Sequence, residues 1–167
     1  MVRVTINGTT EEYPDGIKYL DIAEQHQKEY DQDIVLVRIN GKLKELFKNA
    51  ADGVVEFVTT KEKVGMDTYR RSAIHMMLKA LYDVAGPDMI QQVRIHFSIS
   101  NAIYCEMHGI KVEQQLLEKV LKRMHEIVEE KLPIEKKSMN TEKAIARFRQ
   151  HRMYDKERLF TYRRVSR

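Results

Sequence analysis

Two Asn-Gly pairs, Asn7-Gly8 and Asn40-Gly41, each follow a run of residues suited to a strand. Asn-Gly supplies the positive φ angles that a two-residue hairpin turn demands, so each pair predicts a tight reversal between strands. Val2, Val4 and Ile6 alternate ahead of the first pair, and the segment after it closes at Tyr13-Pro14-Asp15-Gly16. Ile17, Leu20, Ile22 and Ala23 then fall at helical spacing. The run Ile34-Val35-Leu36-Val37-Arg38-Ile39 leads to the second pair, and Val54-Val55-Glu56-Phe57-Val58 reads as a further strand. Hairpin, helix, then more strands is the order of a β-grasp module, expected over residues 1–62. Such a module carries no chemistry of its own here.

The fold class expected for the whole chain is α+β, with a second domain over residues 66–167. The 167 residues are enough for two small domains, and 43% hydrophobic with 32% charged residues suits a buried core under a solvated surface. Cys105 is the single cysteine, which excludes an internal disulfide and points to a reducing, cytoplasmic setting. No apolar run is long enough to span a membrane, and no leader pattern is visible. Charge is unevenly spread. Residues 1–60 hold 7 Lys/Arg against 11 Asp/Glu, whereas residues 141–167 hold 9 against 3. An acidic first module is a poor surface for a nucleic-acid backbone, and the basicity sits in the tail.

Beyond a charged break near Thr59-Thr60-Lys61-Glu62-Lys63-Val64-Gly65, Asp67 or Thr68 is positioned to cap a helix running to about Val84, ahead of Gly86-Pro87. Its apolar stripe is Ile74, Met77, Leu78, Leu81 and Ala85. A hairpin follows, with a three-residue loop Ser100-Asn101-Ala102 placing Ile99 opposite Ile103, Phe97 opposite Cys105 and Ile95 opposite Met107. Its polar face then pairs Ser98 with Tyr104 and His96 with Glu106. A long helix is expected over about Val112–Lys131, with Leu117, Val120, Leu121, Met124, Val128 and Lys131 on one face. Asn140 or Thr141 should cap a further helix over Glu142–Gln150, with Ala146 and Phe148 near the core, and residues 155–162 add another helical turn.

The seven glycines are scattered, and none lies in a phosphate-loop context. His-Glu-x-x-His, Cys-x-x-Cys and paired-carboxylate patterns are absent. The candidate ligand cleft combines Arg71, Ser72, His75 and Lys79 on the helix with His96, Ser98, Tyr104 and Glu106 on the hairpin. Arg71, His75 and Lys79 are four residues apart and share a helix face. Cations and hydrogen-bond donors gathered there suit an anionic or hydroxyl-rich small molecule such as a nucleoside, nucleotide or amino acid. No catalytic residue and no metal ligand is expected: a guanidinium at Arg71 does not coordinate, and His96 and Cys105 point to opposite faces.

Val4-Thr5-Ile6-Asn7-Gly8 through Tyr13-Pro14-Asp15-Gly16, with Leu20-Asp21-Ile22-Ala23 and Ile34-Val35-Leu36-Val37, resembles a TGS domain, the β-grasp module of threonyl-tRNA synthetase, a GTPase group and the stringent-response synthetases. The second half resembles the second additional domain of threonyl- and alanyl-tRNA synthetases. Arg71-Ser72-Ala73-Ile74-His75 looks like that domain's His-x-x-x-His helix, with Arg71 in place of the first histidine. Met66-Asp67-Thr68-Tyr69-Arg70-Arg71-Ser72, Ser98-Ile99-Ser100, Tyr104-Cys105-Glu106 and Tyr154-Asp155-Lys156-Glu157-Arg158-Leu159 resemble a bacterial uridine-kinase-like group that carries both modules ahead of a P-loop nucleoside kinase domain. That resemblance implies a non-catalytic regulatory region, cut from a parent that phosphorylates a nucleoside with ATP and magnesium. The missing kinase domain would be its partner, and the chain itself would hold no cofactor. The alternative it implies is a tRNA-contacting or aminoacyl-tRNA editing region of a threonyl-tRNA-synthetase-like protein.

Overall fold

The computed structural model describes residues 1–86, 92–100 and 102–162. Pro87 and Asn101 of the expected helix end and hairpin loop, and Arg163, Arg164 and Arg167 among the nine basic residues counted over 141–167, lie outside them. The architecture is α+β, and the chain divides into two compact units, Met1–Ala73 and Ile74–Arg167.

The first unit is a five-stranded sheet, built from β1 (Val2–Ile6), β2 (Thr9–Tyr13), β3 (Ile34–Ile39), β4 (Lys42–Glu45) and β5 (Gly53–Thr59), in the order β2-β1-β5-β3-β4. β1 runs parallel to β5, and the other pairs are antiparallel. With helix α1 (Tyr19–His26) between β2 and β3, this is the β-grasp arrangement. Both Asn-Gly turns form as expected, with φ of 50° and 83° at Asn7 and Gly8 and 46° and 78° at Asn40 and Gly41. Alternation places Val4, Ile6, Val37, Val55 and Phe57 in one core against Tyr19, Ile22 and Ala23 of α1. Burying that many aliphatic and aromatic side chains, at about 1.5–3 kcal/mol each, is what offsets the ordering of so short a chain segment.

Helix α2 spans Lys63–Ala85, so it begins four residues before the expected Asp67. Asp67 and Thr68 do not cap it. Asp67 instead accepts from Lys63 Nζ at 2.7 Å one turn back, and the Thr68 hydroxyl donates to the Val64 carbonyl at 2.9 Å. Of the charges at the expected break, Lys63 therefore opens the helix and supports it through an i,i+4 pair with Asp67.

In the second unit, the distal part of α2 packs with strands β6 (Gln92–Ile99) and β7 (Ala102–His108) and with α3 (Gln114–Glu129) around Ala80, Leu81, Val93, Val120 and Ile127. Met77, Leu78 and Ala85 of the expected α2 stripe join that core. The hairpin register differs from expectation. Ile99 pairs with Ala102, Ile95 with Cys105 and Val93 with Met107, and the register shifts between Ile95 and Ser98. Ser100, just past the end of β6, takes φ 53°, and the bulge absorbs the extra residue on β6. α3 also turns differently. Its buried face is Leu116, Val120, Met124 and Ile127, while Leu117, Leu121 and Val128 of the expected stripe are exposed. Helices α4 (Thr141–Gln150) and α5 (Tyr154–Tyr162) form a pair, with the Phe148 and Phe160 rings stacked at 5.5 Å. Asn140 caps α4, accepting from the Lys143 amide at 2.9 Å. Phe148 is half-buried as expected, whereas Ala146 faces solvent and Ala144 and Ile145 are half-buried in its place.

Candidate functional site

On α2, Arg71 folds back along its own helix, donating to the Asp67 carbonyl at 3.2 Å and the Thr68 hydroxyl at 3.0 Å. Ser72 donates to the Thr68 carbonyl at 3.2 Å. Both residues belong to the first unit. His75 and Lys79 lie in the second unit. Lys79 is ion-paired to Asp83, and His75 is exposed.

The hairpin residues do gather. His96 Nε2 lies 3.0 Å from Glu106 Oε2, and Tyr104 Oη donates to Glu106 Oε1 at 3.3 Å. His108 brings its Nε2 to 3.7 Å from the same carboxylate. The His96 hydrogen bond holds the Glu106 carboxyl below its ordinary range, with the nearby imidazoles adding to it, while the Glu106 charge raises the Tyr104 phenol. Ser98 pairs with Ile103 rather than Tyr104.

The bulge explains the residue that sequence reasoning missed. Strict alternation puts Phe97 on the apolar face, opposite Cys105. The register shift instead brings His96 and Phe97 both beside Tyr104, with ring centroids 5.4 and 5.6 Å from it. Phe97 remains 61% exposed. The surface thus presents aromatic faces next to an acceptor-rich carboxylate, with Arg94 exposed on the same strand. Chemically it can stack a planar group and accept hydrogen bonds from that group's edge. Cys105, on the other face, is half-buried, and burial raises its thiol. Among the described residues, no three His, Cys, Asp or Glu side chains are placed to hold a metal ion. No helix there is long and apolar enough to cross a membrane.

The class defined at this point is an α+β chain with a β-grasp unit ahead of a helix–hairpin–helix unit. No family model matches it. The chain is similar to threonine–tRNA ligases from several bacteria. It is 30% identical to that of Syntrophotalea carbinolica over 156 residues, which is 90% of this chain and 24% of the relative. For Pelagibacter ubique the identity is 28% over 86% of the chain and 22% of the relative, and for Exiguobacterium it is 24% over 90% and 24%. The chain spans about a quarter of the length of the curated relatives it matches. These relatives fit the resemblance to the threonyl-tRNA synthetase modules and overturn the uridine-kinase reading. The matched region runs through both units, and the relatives carrying it are named as ligases of tRNA, not nucleoside kinases. The kinase domain expected as a partner has no support among them.

Proposed function

We propose that this chain is a tRNA-contacting region of a threonyl-tRNA-synthetase-like protein. The observation that carries the reading is similarity to threonine–tRNA ligases through 90% of the chain, across both of its units. The exposed rings of Phe97 and Tyr104, with Arg94 exposed on the same strand as Phe97, supply a surface suited to an unpaired base, since single-stranded RNA is recognised largely by stacking on aromatic side chains. Contact rather than hydrolysis is the reading. Arg71 stands where the resembled editing helix carries its first histidine, and its guanidinium is engaged with its own helix.

Filter binding of labelled tRNA to the purified chain across a salt series tests this. Saturable binding that weakens steeply with salt is expected. Phe97→Ala should weaken it by about 1–3 kcal/mol, the worth of one stacked base, with circular dichroism unchanged. Failure to bind tRNA at low salt, or equal affinity for duplex DNA of the same length, would refute the reading.

A further inference from the structure

Away from the hairpin, the first unit carries an open recess of about 580 Å³ lined by Tyr19, Ile39, Lys44, Phe47, Lys48 and Asn49. Its wall is held in place by backbone hydrogen bonds. Tyr19 and Leu20 donate to the Lys48 and Leu46 carbonyls at 3.0 and 2.8 Å, and Ala50 donates to Ile17 at 2.7 Å. The segment bearing both lysines is therefore tied to the start of α1 rather than free to swing.

Three features at the recess call for a ligand. The first sixty residues are net acidic, yet neither Lys44 nor Lys48 has a carboxylate partner among the described residues. Lys48 instead lies over the Phe47 ring, its Nζ 5.1 Å from the centroid, which holds a cation at the rim. Tyr19 is 2% exposed, and its hydroxyl accepts the Ala51 amide at 3.2 Å. The hydroxyl's own proton has no acceptor among the described residues, although a buried tyrosine ordinarily finds one.

We propose that this recess binds a phosphomonoester carried on a flat apolar body, of which a nucleoside monophosphate is the simplest case. Two ammonium groups match a phosphomonoester's charge of about −1.5 to −2 at neutral pH, and lysine meets phosphate as a point charge. The Tyr19 O–H and the Asn49 amide supply neutral donors for the remaining oxygens. Ile39 and Phe47 give the apolar body a surface, and the volume lies within the range of small-molecule sites. The geometry leaves two sources open, a free nucleotide and the 5′-phosphate end of an RNA.

The test is a ¹⁵N-resolved NMR titration of the full chain with adenosine monophosphate, phenyl phosphate, adenosine and inorganic phosphate. Adenosine monophosphate and phenyl phosphate should shift the amides of residues 44–51 and Tyr19 along one saturable curve. Adenosine should leave them in place, and inorganic phosphate should bind at least tenfold more weakly. Lys44→Gln and Lys48→Gln should each weaken binding about fivefold, the worth of one charge lost near 4 Å in water. Tyr19→Phe, which keeps the ring in the core, should weaken it about threefold. A 5′-phosphorylated RNA oligomer that binds more tightly than both its unphosphorylated twin and adenosine monophosphate, at these same amides, assigns the RNA end as the source. An oligomer that binds no more tightly than adenosine monophosphate assigns the free nucleotide. Inorganic phosphate equal to adenosine monophosphate, shifts spread evenly over all lysines, or no shifts at all would overturn the proposal. None of these arms depends on tRNA binding at the hairpin.

Discussion

Gly65 shows how one residue can fix an element's position. It lies buried in the first turn of α2, and a methyl group built on it would stand 2.0 Å from the Thr59 carbonyl oxygen and 3.2 Å from Val35. A glycine inside a helix ordinarily costs about 0.5–1 kcal/mol relative to alanine. Here the close approach of the helix to the end of β5 requires it. Gly65→Ala should therefore destabilise the first unit by about 1–3 kcal/mol, despite its gain in helix propensity, as read by urea unfolding. Unchanged stability would mean the contact relaxes freely. Sequence alone shows the glycine but not the carbonyl it meets, which is why it reads as a break between domains. The opposite case is Lys131, at φ 51° after α3. Its amide donates to Val128 at 3.0 Å and that of Leu132 to Ile127 at 3.3 Å, the bond pattern of a helix end that favours glycine. Lys131→Gly should stabilise the second unit by about 1 kcal/mol in the same assay, because the left-handed conformation then carries no Cβ penalty. The same pattern recurs after α4 at Arg152, φ 56°.

Between elements, α2 and α3 are joined by a charged clasp. Arg123 Nε donates to Asp83 at 3.0 Å, and its Nη1 lies 3.2 Å from Glu126 and 2.9 Å from Glu130. Partial burial pushes the Asp83 carboxyl up, but Lys79 and Arg123 outweigh it and hold the group below its ordinary value. A carboxyl depressed on folding contributes stability that is fully present above its unfolded pKa of about 3.9 and is lost as pH falls through the lower folded value. Asp83→Asn should accordingly cost about 1 kcal/mol at pH 7, with the gap to the unaltered chain closing as the carboxyl protonates below pH 4. A gap independent of pH would assign the loss to packing. The sequence shows that α3 is amphipathic, because apolar residues recur at helical spacing. It does not show which half of a broad apolar face is covered. Leu116, Val120 and Ile127 lie about a quarter turn from Leu117, Leu121 and Val128, and only contact with Ala80, Leu81 and Val93 selects the former. The hairpin has the same ambiguity. Its two strands and its His96–Glu106 contact were legible from alternation and charge, whereas the bulge that brings Phe97 beside Tyr104 leaves no mark in a two-residue period.

At the scale of the whole molecule, the two units rest on unequal cores. Among the described residues, the main buried cluster of the first unit has twelve members and that of the second has five, and the second also exposes Phe97, Ile99, Leu121 and Val128. Amides of α3 and the hairpin should therefore exchange with solvent faster than those of β1, β3 and β5, since local opening follows the amount of apolar burial. Charge is divided just as unevenly, and the surplus of positive residues over 141–167 bears on the proposed tRNA contact. Lys143 and Arg147 are four residues apart on α4, both exposed and without an ion-pair partner among the described residues, whereas Arg149 is held by Glu157 at 2.6 Å. Cations already paired to carboxylates have less to gain from phosphate, so the unpaired two are the better counterions for RNA. Each phosphate contact contributes about 0.7–0.9 to the slope of log affinity against log salt. The double variant Lys143→Gln with Arg147→Gln should flatten that slope by about 1.5 and weaken tRNA binding most at low salt. Arg149→Gln should leave the slope within about 0.3 of the unaltered value by the same rule. If the double variant kept the full slope, the phosphate contacts would have to lie elsewhere, and the basic tail would serve only as a solvated surface.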